Sequence, residues 1–113
     1  MAAKYTYLPD LLTEVELPKS GILSRVLHKD DRLNVTLFAF SAGHELSTHS
    51  APTPAVMYFL QGEANVQLGD DTVPVHAGSF IHMTPMLPHA VSPKTDVVML
   101  LVQVKLEARE ARA

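Results

Sequence analysis

Two histidines, His49 and His89, are the residues best placed to do chemistry. They lie forty positions apart, in GHELSTH starting at Gly43 and in GSFIHMTPMLPH starting at Gly78. Imidazole titrates near neutral pH, so it can serve as a general base, a hydrogen-bonding group or a metal ligand. Ala51, Ala55, Met57 and Phe59 follow in a stretch that reads as extended chain. Ala55, Met57 and Phe59 share one face of a strand by alternation. That face belongs either to a pocket that includes His49 and His89 or to a packed core. Read as a pocket, His49, Met57, Phe59 and His89 line a greasy site suited to a small, uncharged or weakly polar organic molecule. Pro52, Thr53 and Pro54 would stiffen its rim.

Four further histidines and one carboxylate could join them. His82 alternates with Ile81 and Met83, so the apolar face should turn inward and His82 outward. His44 has opposite parity to His49. Glu45 is a conceivable extra carboxylate but lies in loop sequence. His28 and His76 sit beside turns and are expected at the surface.

The elements that must position these residues are short strands. Eight prolines and five glycines cut the chain into pieces too short for long helices. Strands are expected at 21–28, 32–41, 55–60, 64–68, 72–75, 79–84, 90–91 and 96–106, with a short extended piece at Ser47–His49. Tyr5–Leu8 could form an edge strand, and Pro9–Glu14 one helical turn. The second half of 32–41 is apolar on both faces and should be covered on both, with Phe38, Phe40 and Tyr58 available for a subunit contact. The tail from Glu107 to Ala113 is helix-prone. One domain over 1–113 is expected, with a core of about 21–106, an N-terminal arm of 1–20 and a C-terminal tail of 107–113.

Composition narrows the function classes. Net charge is −3, and no basic block occurs, which argues against nucleic acid and anionic membranes as partners. Without cysteine there is no disulfide, thiol nucleophile or Cys-based zinc site. The N-terminus, MAAKYTYLPD, has no apolar signal-peptide core, so a cytoplasmic location is expected. No Lys or Arg occurs between Arg32 and Lys94, so a highly anionic ligand is disfavoured inside.

The two motifs resemble those of the cupin family of small jelly-roll barrels. The first family motif, G-x5-H-x-H-x3,4-E-x6-G, is matched at Gly43, His49 and Gly62, with Ala51 and Ala55 at the second His and the Glu. The second, G-x5-P-x-G-x2-H-x3-N, is matched at Gly78 and His89, with Thr84, Met86 and Pro93 at the Pro, Gly and Asn. The fifteen residues between Gly62 and Gly78 match the short connector of small prokaryotic members. The resemblance covers residues 33–104. It implies an all-β fold, a cupin-type jelly-roll barrel or double-stranded β-helix, and commonly a homodimer.

In the family, three His and one Glu hold Zn, Fe, Mn, Ni or Cu at the barrel mouth. Here only His49 and His89 remain of that set, so the metal site is degenerate and no tightly bound cofactor is expected. Three activities follow as expectations. The first is a small-molecule-binding barrel, serving as a sensor, carrier or binding module. The second is a metal-dependent dioxygenase or isomerase using His49, His89 and a further ligand. The third is a metal-free enzyme with His49 or His89 as general base, as in cupin-type sugar epimerases, whose phosphate-bearing substrates fit this cation-poor stretch least.

Overall fold

A computed structural model describes residues 4–105. Nine strands follow one short 3-10 turn at Leu11–Thr13: β1 (Ile22–Lys29), β2 (Leu33–Phe40), β3 (Leu46–His49), β4 (Ala55–Gln61), β5 (Ala64–Leu68), β6 (Asp71–Val75), β7 (Phe80–Met83), β8 (His89–Pro93) and β9 (Val97–Val104). They form two antiparallel sheets, β1-β2-β9-β4-β7 and β3-β8-β5-β6, which face each other as a jelly-roll barrel. The two prolines within strands sit where they can be tolerated: Pro74 lies on β6, an edge strand, and Pro93 is the last residue of β8. Gly69 has a positive φ, and Asp70 after it does not, the order a II′ hairpin turn requires between β5 and β6. No helix among the described residues is long and apolar enough to cross a membrane. The helix-prone tail, Glu107–Ala113, lies outside the described residues.

Alternation sorts the strands into an interior and an outer face. Phe40, Met57, Phe59, Val66, Ile81, Val91, Val97 and Met99 pack between the sheets, with Phe38 against them. Phe38 and Phe40 therefore point inward, stacked with ring centroids 6.1 Å apart, and offer nothing to a subunit contact. Tyr58, of opposite parity on β4, does face out. The interior claims Phe38 and Phe40 because a two-sheet core needs its largest side chains.

Leu37, Ala39 and Val98 lie on the outer face of the large sheet and are buried all the same. The N-terminal arm runs along this side of the sheet, beside Leu27, Leu33, Val35 and Leu100. It is strapped down by Arg25, which donates from Nη1 to Glu14 O at 3.0 Å and pairs with the Glu14 carboxylate at 3.4 Å. Near its start, Thr6 Oγ1 contacts His28 Nδ1 at 3.2 Å. Tyr5–Leu8 is not a strand and makes no backbone ladder to β1. Pro9 to Glu14 does turn, as a 3-10 helix whose Asp10 carboxylate accepts from Leu12 N.

His28, which Thr6 of the arm contacts, also belongs to the turn between β1 and β2. His28 Nε2 donates to Asp30 Oδ2 at 2.5 Å, and Asp30 Oδ1 accepts from Arg32 N and Leu33 N. The His28 hydrogen bond, then those two N–H groups, hold the Asp30 carboxyl well below its ordinary value of 3.8. A depressed folded-state pKa contributes stability above the unfolded value, and that stability is lost as pH falls through the range below it. Asp30→Asn is therefore expected to flatten the decline of stability below about pH 4. Denaturant titrations of both proteins across that range check this, and parallel declines would refute it.

Candidate functional site

Strand pairing brings the two histidines together. β3 and β8 run antiparallel, with His49 directly opposite His89 and Leu46 opposite Val91. Three steps along β3 thus match two along β8. This bulge gives Leu46 and His49 the same inward face despite their odd spacing. The imidazole centroids stand 4.2 Å apart, with the rings tilted by 58°. His89 is buried, whereas His49 is exposed at the barrel mouth.

Each ring is oriented by the carbonyl two residues before it. His49 Nδ1 contacts Ser47 O at 2.8 Å, and His89 Nδ1 contacts Leu87 O at 2.9 Å. A carbonyl only accepts, so Nδ1 carries the proton in both cases. In the neutral rings both Nε2 atoms are then left with lone pairs. These lone pairs can take a hydrogen-bond donor or a metal ion.

The two rings share a cavity of about 70 Å³ with Ala51, Thr53, Ala55, Met83, Thr84, Leu87, Leu101 and Gln103. Its floor follows from register. Gln103, Ala55 and Met83 sit side by side across β9, β4 and β7 on the inward face, with Asn34 on β2 next to Gln103 and outside the cavity lining. Met57 lies one row deeper, beside Leu101 and Ile81, and Phe59 deeper still, beside Met99. Met57 and Phe59 are fully buried core and do not line the cavity, a correction to their reading as ligand-binding residues. Two residues per row is the length of β strand that separates mouth from core.

Gln103 and its neighbour Asn34 were not singled out from the sequence. The available signal was a polar residue continuing the inward series Val97, Met99, Leu101 on a core strand. The other candidates stay outside. His82 is exposed opposite Val56, as alternation implies. His44 Nε2 contacts Ser20 Oγ at 3.1 Å, Glu45 accepts from Ser92 Oγ, and exposed His76 contacts the carbonyl of Ala77. His28 belongs to the Asp30 turn.

This donor set does not fit a tightly held metal ion. Two imidazoles face the cavity, alanines occupy the places of the other two family ligands, and no carboxylate offsets a dication. Among the described residues no cluster of three or more His, Cys, Asp or Glu could hold one.

The rim carries strain. Met86, where the family motif has glycine, holds φ at +69°, and its N–H donates to Ala51 O at 2.7 Å. A non-glycine residue in the left-handed region costs about 1–2 kcal/mol. Part of that is offset because glycine loses more backbone entropy on folding. Met86→Gly is expected to raise unfolding free energy by about 0.5–1 kcal/mol in urea titration. A decrease would show that the exposed Met86 side chain contributes packing that the backbone geometry does not reveal.

The cupin domain family matches residues 36–104. The chain belongs to the cupin family. A conserved protein of unknown function from Streptococcus pyogenes is similar in structure at 34% identity and a TM-score of 0.83, over 94% of this chain and 93% of that one. A cupin superfamily protein from Desulfitobacterium hafniense is similar at 26% identity and a TM-score of 0.80, over 86% and 88%. A predicted oxalate decarboxylase from Thermotoga maritima shares the fold at 18% identity and a TM-score of 0.69, over 75% and 81%. No curated protein matches the chain in sequence.

Proposed function

We propose that this cupin binds a small, uncharged or weakly polar organic molecule in the barrel mouth, held by His49 and His89. The observation that carries the reading is the convergence of two oriented imidazoles on a cavity otherwise walled by Ala, Met, Leu, Thr and Gln. No Lys, Arg, Asp or Glu lines it, so a charged ligand finds no counter-charge there. Size limits the occupant. Sites for drug-sized ligands span roughly 300–1,000 Å³, against about 70 Å³ here. The cavity therefore takes a small head group, and the remainder of a larger ligand extends through the mouth.

The test is native and denaturing mass spectrometry of freshly purified, untagged protein, with metal analysis after exposure to Mn, Fe, Ni, Zn and Cu. The expected result is a released or exchangeable organic species that His89→Ala no longer retains. A stoichiometric, tightly held ion lost in both His49→Ala and His89→Ala would replace this reading with that of a metal-dependent enzyme.

The same reading includes a homodimer, in keeping with a cytoplasmic binding module. Tyr5 and Tyr7 are 80% and 74% exposed beside an apolar groove of about 610 Å³ floored by Leu27, Leu33, Val35 and Leu100. A second copy laid across this face would cover them. Light scattering should give twice the chain mass, and a monomeric mass would count against it.

A further inference from the structure

Behind the cavity wall, Asn34 and Gln103 are direct partners across β2 and β9. Asn34 Nδ2 donates to Gln103 Oε1 at 3.5 Å, the far limit of a hydrogen bond. Asn34 Oδ1 is buried and receives no donor. A residue placed there for packing alone would be apolar and leave no orphaned oxygen, so the amide needs another reason. Its effect on Gln103 supplies one. With Oε1 taken by Asn34, the NH2 is the end of the Gln103 amide that makes no hydrogen bond to a described residue, on a side chain that lines the cavity.

We infer that Asn34 fixes the polarity of Gln103, so that the site offers one amide donor opposite two imidazole acceptors and selects a neutral head group bearing a carbonyl-type acceptor beside an N–H or O–H donor. A carboxamide is the simplest such group. Its oxygen accepts from Gln103, and its NH2 donates to the Nε2 of His49 or His89. A carboxylate presents only acceptors to the two lone pairs, and an ammonium presents only donors to the Gln103 NH2. This inference rests on the proposed binding function and adds the chemistry of the ligand.

Three probes distinguish the possibilities: propionamide, propionate and propylammonium, titrated into 15N-labelled protein. The signals followed are the ring nitrogens of His49 and His89 and the Gln103 side-chain NH2. Propionamide is expected to shift all three groups, and propionate none. Gln103→Glu keeps the side-chain shape and the bond from Asn34 but turns an acceptor toward the cavity. It should weaken propionamide roughly tenfold, the loss of about one net hydrogen bond, and admit propylammonium. Gln103→Met should weaken propionamide without admitting propylammonium, which separates polarity from packing. Equal propionamide binding by the wild type and Gln103→Glu would overturn the inference and leave the binding function standing. Unmoved ring signals with all three probes would overturn both.

Discussion

Gly62→Ala is expected to lower the unfolding free energy by about 2–5 kcal/mol, a large part of the 5–15 kcal/mol typical of a domain. Two separate costs add. Gly62 has φ of +90°, where a Cβ costs about 1–2 kcal/mol. A Cβ there would also lie 2.1 Å from Asp96 O and 2.9 Å from a Val97 methyl, and the first of these is backbone that cannot step aside. Forcing it aside adds a further 1–3 kcal/mol on the scale of overpacked cores. The close approach has a purpose in the fold. Glu63 N donates to Thr95 Oγ1, while Lys94 N and Thr95 N donate to Glu63 O, locking the β4–β5 turn to the β8–β9 turn. Those turns set β8, with His89, against β4, with Ala55. Gly78→Ala is the control, because its φ is +96° but a Cβ there meets open space. It should cost only the backbone strain. Urea unfolding of the two variants side by side decides the matter, and equal costs would refute the argument from the Asp96 carbonyl.

The second large effect is a gain. Ala51→His with Ala55→Glu restores the family's missing ligands around His49 and His89, and all four positions line one cavity. Without metal the double variant should be less stable than the parent by about 3–5 kcal/mol, since Ala55 is buried and an unpaired carboxylate would replace its methyl. With Zn or Ni at a thousand times the dissociation constant, binding to the folded state alone returns about 4 kcal/mol. Melting temperature should thus rise steeply with metal in the double variant and barely in the parent. Calorimetry with and without metal measures both arms. A double variant indifferent to metal would mean that the mouth no longer holds the family's ligand geometry.

The barrel was legible because its signals are local. The alternation of Leu33 to Phe40, the apolar run from Ala55 to Leu60, and the glycines at 43, 62 and 78 each report on a few neighbouring residues. All three glycines have positive φ in the structure, a conformation that residue type itself favours, and at Gly62 the Asp96 carbonyl adds a second, long-range reason. His82 was placed outward by the same local rule. The misreadings fall where the deciding partner is distant. Alternation put Met57 and Phe59 on the face of Ala55, correctly, but gave no depth. Depth is set by register against Leu101 and Met99 on β9, some forty residues away. Phe38 and Phe40 could equally have faced either way, because both faces of β2 are buried, and only the pairing of the two sheets settled which face is interior. Tyr5–Leu8 has strand-forming residues yet pairs with nothing.

His49 and His89 divide in the same way. The sequence by itself determined that they are present, that each follows a motif glycine, and that alanine replaces the two ligands between them. Residue identity fixes which donors exist, and that alone weakens the case for a metal. Only the tertiary structure decided that the rings meet at 4.2 Å and that both Nδ1 atoms are held by carbonyls. It also decided that Gln103, in contact with Asn34, is the amide sharing their cavity. Those facts depend on a bulge in β3 and on the register of β2, β9 and β4. Such long-range pairings are set by the whole barrel closing at once and leave no local trace in the chain.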